Sequence, residues 1–356
     1  MNNKQKKIFT SHLMQWHKEI NNRTMPWKGI KDTYKIWLSE IILQQTRVEQ
    51  GTAYYEKFIT TYPTIYDLAN AKDEQVFKLW EGLGYYNRCK NLLITAREIV
   101  KKYNGVFPEN YDELLKFKGI GPYTAAAIAS FAFNKPYAVV DGNVFRVLAR
   151  FFGNNLAIDT TEGKYFFTNL ANDVLDKNNA ALYNQAIMDF GATVCKPVIA
   201  LCSSCILNTY CLAHKNGQVN HLPVKEKRLI KKKRFFIYFI FNYQNKILIH
   251  KRVDKDIWQN LFEFFLYETE TLIQWNIETI QSVMQEIGIK FYEIKQISKE
   301  YQQQLTHQNI KTKFVEIKLE KMPTTLKKYQ WVDTKNLKQF AFPKLINSFL
   351  KEPKLI

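Results

Sequence analysis

From Lys6 to about Ala213 the apolar residues recur at helical spacing. In Tyr34–Thr46 the period is carried by Ile36, Trp37, Ile41 and Ile42, and Asp32 and Thr33 stand where a helix start is capped. The same signal covers Asp73–Leu79, Asn91–Tyr103, Thr124–Phe133, Val144–Phe152 and Ala181–Met188, with short Gly and Pro punctuation between them. It predicts an all-helical domain, or two, over residues 1–215. The period then changes. Phe235–Phe241, Lys246–His250 and Phe262–Tyr267 are short runs rich in aromatic and β-branched residues and predict strands. Helices are expected near Ile277–Ile287 and Pro343–Leu350, so a smaller α+β domain is predicted over 235–356. Between the two, 216–234 reads as a linker. Its stretch His221–Arg234 carries seven basic residues and one acidic residue, and either lies along a phosphate backbone or is simply solvated.

Composition narrows the class. A chain of 356 residues that is 46 % hydrophobic has material for two or three cores, which excludes disorder throughout. Its longest apolar stretch, Tyr123–Phe133, is far short of the ~20 residues a bilayer helix needs. The lysine-rich N-terminus has no apolar run behind it, so no signal peptide is read and a cytoplasmic location, away from membranes, is expected. The net charge of +18 favours an anionic partner, nucleic acid first and a membrane surface second. Residues 1–220 contribute +7 and residues 221–356 contribute +11, so neither half is a neutral passenger.

Four of the five cysteines fall in one window, Cys195, Cys202, Cys205 and Cys211, spaced C-x6-C-x2-C-x5-C. Such crowding in a reducing compartment points to a metal centre rather than disulfides. Zinc and an iron–sulfur cubane both accept four thiolates, and the single C-x-x-C between wider gaps leans towards the cluster. Cys89, alone, reads as an ordinary helix residue.

The segment Leu114–Ala125 places Gly119-Ile120-Gly121-Pro122 directly before a small-residue helix. Glycines allow close backbone approach, proline suits a first helical turn, and the exposed N–H groups there face an anion. With Lys116 and Lys118 beside it, the turn is suited to one DNA phosphate. The alternative is a plain helix–turn–helix corner.

Two carboxylates stand in unusual places. Glu40 lies inside an apolar helical run, where desolvation raises a carboxyl pKa and suits it to protonate a leaving group. A boundary glutamate paired with a lysine is the plainer reading. Asp141 sits between Val139-Val140 and the helix starting near Val144, where it reads as an N-cap and could also face a developing positive charge.

Taken together, LKGIGPYTA, the aspartate 20 residues after Gly121 in VVDGNVFRVLAR, and the cysteine spacing resemble the helix-hairpin-helix DNA glycosylase superfamily. PWKGIKDTYKIWLSEIILQQTRV and LWEGLGYYNR resemble the adenine DNA glycosylases (MutY-like) within it. The resemblance implies a multi-domain protein: an all-α glycosylase core with an iron–sulfur loop, then an α+β Nudix-like domain that recognises the lesion. It implies removal of adenine mispaired with 8-oxoguanine, or with guanine, from duplex DNA by a monomer, with a 4Fe–4S cluster on Cys195, Cys202, Cys205 and Cys211. On the matching positions, Glu40 protonates adenine N7, Asp141 stabilises the cationic sugar, and Tyr123 is held near both. Gln45 corresponds to the intercalating glutamine and Tyr85 to the lesion-facing tyrosine. Trp27 stands near the base pocket, and Lys118, Gly119 and Gly121 form the phosphate turn. In the endonuclease III type, a lysine after the hairpin forms a Schiff base; here Tyr123 has no amine, which predicts a monofunctional glycosylase.

The second domain is expected to be catalytically degenerate. Of three Nudix-box glutamates only Glu286 survives, with Ser282 and Gln285 at the other two positions. Leu305-Thr306-His307 corresponds to a lesion-sensing Phe-Ser-His loop, with Thr306 and His307 keeping the hydroxyl and the ring. Asn260 replaces a glycine before Leu261. A non-catalytic iron–sulfur damage binder and a zinc-dependent regulator remain alternatives, although neither needs Glu40, Asp141 and Tyr123 together.

Overall fold

A computed structural model describes residues 2–226, 230–323 and 325–352. By its contacts the chain forms two units, Met1–Asn70 with Lys90–Lys227, and Ala71–Cys89 with Arg228–Ile356.

The first unit is helical. It contains α1 (Asn3–Glu19), α2 (Thr33–Leu43), α3 (Val48–Thr61) and α4 (Ile65–Asn70). The chain then passes through α5 (Asp73–Trp80) of the second unit and returns along α6 (Asn87–Tyr103). There follow α7 (Tyr111–Leu114), α8 (Pro122–Phe133), α9 (Gly142–Phe151), α10 (Thr161–Val174), α11 (Ala180–Thr193) and α12 (Leu212–Lys215). Phe9, Leu13 and Trp16 of α1 pack with Val147, Leu148 and Phe151 of α9, Phe167 of α10 and Phe190 of α11 in one apolar core. Asp32 caps α2 by accepting from Lys35 N–H at 3.2 Å, as its position before the apolar run predicts. Every residue of α2 from Ile36 to Ile42 is buried, and the helix packs on α8, which is itself buried from Thr124 to Ser130.

The second unit is built on an eight-stranded sheet among the described residues. Its strands are β1 (Lys232–Tyr243), β2 (Lys246–Lys251), β3 (Phe262–Glu263), β4 (Phe265–Thr269), β5 (Tyr292–Ile297), β6 (Tyr301–Gln304), β7 (Gln308–Leu319) and β8 (Gln330–Asp333). The path β3-β2-β1-β7-β5 is antiparallel except for β1 with β7, which run parallel from Lys232↔Gln308 to Asn242↔Lys318. Ile237, Phe239 and Phe241 point to one face, under Ile280, Val283 and Met284 of α13 (Ile277–Glu286). Tyr238 and Phe314 stack on the other, where Phe349 of α14 (Lys344–Leu350) covers Phe314 at 4.0 Å between rings. Helix α5 docks through Glu81, which accepts from Phe342 N–H at 2.7 Å, and Lys78, which donates to Phe340 O at 3.0 Å.

Two expectations are refined. The run Phe262–Tyr267 is broken into β3 and β4, which pair with β2 and β1 respectively, because Phe264 turns the chain from one neighbour to the other. Of the basic run His221–Arg234, residues 227–229 lie outside the described residues, while Lys232–Arg234 open β1 with Arg234 buried.

The replacement of a glycine by Asn260 has a conformational reason. Its φ is 71°, in the left-handed region that asparagine tolerates best among residues with a side chain. Asn260→Gly should therefore melt with the parent, while Asn260→Val should lose about 1–2 kcal/mol in urea unfolding. Equal stability of the valine variant would show that the position has no such requirement.

Candidate active site

The helical unit encloses a cleft of ≈ 690 Å³ whose lining includes Trp27, Glu40, Tyr123, Asp141 and Asp189. Its size is within the range of small-ligand sites. Glu40 comes from the most apolar part of α2, between Trp37 and Ile41, and is 5 % exposed. Burial, with the negative charge of Asp141 adding to it, lifts its pKa from 4.5 to about 7. The hydroxyl of Tyr123, on the first turn of α8, donates to it and acts in the opposite direction.

Asp141 is the N-cap of α9. Its Oδ1 accepts from Val144 N–H at 2.8 Å and its Oδ2 from Asn143 Nδ2 at 2.7 Å. Burial raises its pKa above the ordinary value despite these donors, the positive end of α9 and the Arg146 charge, which all favour the ionised form. Glu40 has a single hydroxyl donor. Of the two carboxyls, Glu40 is thus the one that keeps a proton. The capping and functional readings of Asp141 coincide, since the cap fixes the carboxylate that the cleft receives.

Asp189 was not singled out by the sequence pattern. It is fully buried in α11 and accepts from Arg23 Nη1 at 2.9 Å, Lys28 Nζ at 3.0 Å, Asn21 Nδ2 at 2.9 Å and Gln185 Nε2 at 3.0 Å. It thereby ties down the loop that carries Trp27, which meets Tyr55 edge-on. The signal was available, because Asp189 interrupts an apolar helical run just as Glu40 does. Also unforeseen are the two arginines of VVDGNVFRVLAR. Arg146 donates to Cys195 O at 2.8 Å and Gly191 O at 2.8 Å. Arg150 donates to Lys196 O at 2.7 Å, Pro197 O at 3.1 Å and Leu222 O at 3.0 Å, with Nη1 3.5 Å from Cys195 Sγ.

Cys195, Cys202, Cys205 and Cys211 all line one small cavity beside α9. Among the described residues no group of three or more His, Cys, Asp and Glu side chains forms a metal-ion site. The four thiols instead surround a shared space, and Arg150 supplies a neighbouring cation. Cys89 is buried in α6 and is not among the residues lining that cavity.

The turn Phe117–Gly121 joins α7 to α8. Gly119 has φ 80° and a Cβ there would come within 2.8 Å of Asn91 Cβ, so both conformation and space demand glycine. A Cβ on Gly121 would meet nothing within 4 Å, and as N-cap of α8 it lacks a side-chain acceptor. Lys118 is exposed beside it, and its carbonyl accepts from Thr95 at 2.7 Å.

Gln45 and Tyr85 are both exposed and both left-handed, with φ 54° and 48°. For non-glycine residues this costs of order 1–3 kcal/mol, and such residues concentrate at functional sites. In the second unit, the Tyr85 hydroxyl is 2.7 Å from Thr306 Oγ1, and Thr306 and His307 form the turn between β6 and β7. These residues line a cavity of ≈ 530 Å³. Ser282 bonds back to Glu278 O on α13, and Glu286 accepts from Tyr267.

Comparison with known proteins follows the division into units. The HhH-GPD superfamily of base excision DNA repair proteins matches residues 38–166, which include Glu40, Tyr123 and Asp141. The NUDIX domain matches 236–352. An adenine DNA glycosylase of Buchnera aphidicola subsp. Acyrthosiphon pisum is 33 % identical over 287 residues, covering 78 % of this chain and 82 % of that protein. The adenine DNA glycosylase of Mus musculus is 38 % identical over 227 residues, 60 % of this chain and 44 % of that protein. Among solved structures, a thermostable thymine-DNA glycosylase superposes with TM-score 0.56 at 28 % identity, over 60 % of this chain and 98 % of its own. A non-covalent endonuclease III–DNA complex superposes with TM-score 0.52 at 20 % identity, over 61 % and 98 %, a likeness of fold.

The buried acid makes stability depend on pH. The native state holds the Glu40 proton up to about 7, whereas the unfolded chain releases it near 4.5. Stability from this group therefore falls as pH rises through that window, by on the order of 3 kcal/mol. Glu40→Gln should gain more in urea unfolding at pH 8 than at pH 5. An equal difference at both pH values would mean that Glu40 titrates normally.

Proposed function

The chain belongs to the adenine DNA glycosylases, and from that premise we propose that it hydrolyses the N-glycosidic bond of adenine mispaired with 8-oxoguanine or guanine in duplex DNA. The observation that carries the reading is the pair of carboxyls in one cleft, Glu40 with its pKa lifted to about 7 by burial and Asp141 held by donors that favour its anion. A target base must leave the stack to reach such a cleft, and Trp27 gives it an apolar wall. Glu40 donates its proton to adenine N7. The C1′–N9 bond breaks, its electron pair goes to N9, and the base departs neutral. Asp141 stabilises the positive charge that develops on the sugar. Water adds to C1′ and its released proton restores Glu40, the two-carboxylate logic of glycoside hydrolysis applied to an N-glycoside. Tyr123, donating to Glu40, orients the acid.

A lyase step is not part of this reading. The position after the hairpin proline is Tyr123, and Lys28, an amine lining the cleft, is engaged by Asp189 and Arg23 O. Gln45 serves as the wedge left in the duplex. Gly119, Gly121 and Lys118 hold one phosphate through the open N-terminus of α8. In the second unit Tyr85, Thr306 and His307 face the 8-oxoguanine, a role supported by their shared cavity and the Tyr85–Thr306 bond.

Cys195, Cys202, Cys205 and Cys211 would hold a 4Fe–4S cluster. Their place around one common cavity, with Arg150 Nη1 3.5 Å from Cys195 Sγ, supports a group held by all four thiols. When bound, the cluster supplies a cross-link of residues 195–211. Arg146 and Arg150 brace that loop against α9 and hence against Asp141.

End-labelled duplexes carrying adenine opposite 8-oxoguanine, incubated with excess protein, test the reading. Cleavage is expected only after hot alkali, and Glu40→Gln should lower single-turnover excision by at least ~10³-fold while duplex affinity stays within a few-fold. Near-normal excision by that variant would overturn the role of Glu40. Strand cutting without alkali would overturn the monofunctional assignment.

A further inference from the structure

The cavity beside Tyr85 and Thr306 has a third wall, Asp256–Gln259, which belongs to no strand or helix. This segment is strained. Trp258 has φ 60° although it carries a large side chain, and it is buried edge-on against Phe236. Something must hold it. Arg252 donates to Ile257 O at 3.0 Å and to Asp256 Oδ2 at 2.9 Å.

A second guanidinium grips the same carboxylate. Arg234 on β1 is buried and donates to both Asp256 oxygens, at 2.9 and 2.8 Å, and to both Glu268 oxygens, at 2.7 and 2.6 Å. Its Nη1 also reaches Gln308 Oε1 at 3.2 Å. Gln308 starts β7, and its carbonyl accepts from Leu305 N–H at 2.8 Å, closing the turn that presents Thr306 and His307. One side chain outside the cavity lining thus touches two of its walls.

We infer that Arg234 is a positioning residue for recognition of the base opposite the adenine, fixing the Asp256–Gln259 wall and the Leu305–His307 turn relative to each other. This rests on the reading that the cavity faces that base. Lysine could not replace it. A point charge on a flexible stem cannot satisfy five acceptors at fixed angles, as a planar guanidinium does.

The test compares single-turnover excision from A:8-oxoguanine and A:G duplexes by the parent, Arg234→Lys, Thr306→Ala and the double variant, with melting temperatures alongside. The parent should prefer A:8-oxoguanine, and Thr306→Ala should weaken that preference. Arg234→Lys should cut it by about tenfold, and by much less in the Thr306→Ala background, since both changes act on one element. Equal losses on both duplexes, or additive losses in the double variant, would make Arg234 merely structural and overturn the inference. A parent without preference, or a Thr306→Ala variant that retains it, would overturn the reading of the cavity itself. If Arg234→Lys does not fold, Gln308→Ala removes one of the five contacts, leaves both ion pairs, and carries the same expectation and the same contradiction.

Discussion

A carboxyl group taken out of water is costly to ionise, and the helical unit is organised around that cost. Helix α2 is buried on every side along Ile36–Ile42 and Glu40 lies inside the run, so its proton stays on to about pH 7. The second carboxyl in the cleft faces the same penalty and meets it differently. Asp141 receives a backbone N–H, an asparagine amide and the positive end of α9. Unequal donors thus leave Asp141 easier to ionise than Glu40.

Holding that difference requires rigid supports. Helix α9 has Asp141 at its start and, one and two turns on, the buried arginines that grip the cysteine loop. The loop is therefore coupled to the Asp141 carboxylate through a single helix. On α11, which packs on α9, Asp189 gathers Arg23, Lys28, Asn21 and Gln185, so that the segment carrying Trp27 is pinned by charge-assisted bonds rather than by regular structure. The sheet unit uses the same device, with Arg234 and Arg252 clamping a strained loop through Asp256.

Much of this was legible in the residues. The helical period located α2, α5, α6, α8, α9 and α11 because each buries one stripe or a whole surface, and runs of aromatic and β-branched residues located β1 and β2. Strand β7 was not anticipated either, although Ile310, Thr312 and Phe314 alternate with lysine and asparagine along it, and strands β5, β6 and β8 escaped too. These last three are short and carry glutamine, lysine and glutamate on exposed positions, so their identity depends on pairing with β7 and β2 rather than on local pattern. Glu40 and Asp141 stood out through their placement. Asp189, Arg146, Arg150 and Arg234 did not, since a buried charge is identified by partners distant in sequence: Asp189 lies 166 residues from Arg23. Nor could the chain alone tell that Ala71–Cys89 joins the sheet unit, which depends on Glu81 meeting Phe342 across 261 residues.

Excision by this route depends on the protonation of Glu40, and the most direct measurement is the pH dependence of single-turnover excision from an A:8-oxoguanine duplex. The acid must be protonated to act, so the rate constant should be level just below neutrality, where Asp141 stays ionised, and fall about tenfold per pH unit above about 7. A rate that stays flat through pH 8.5, or that rises across it, would contradict the assignment of Glu40 as the proton donor.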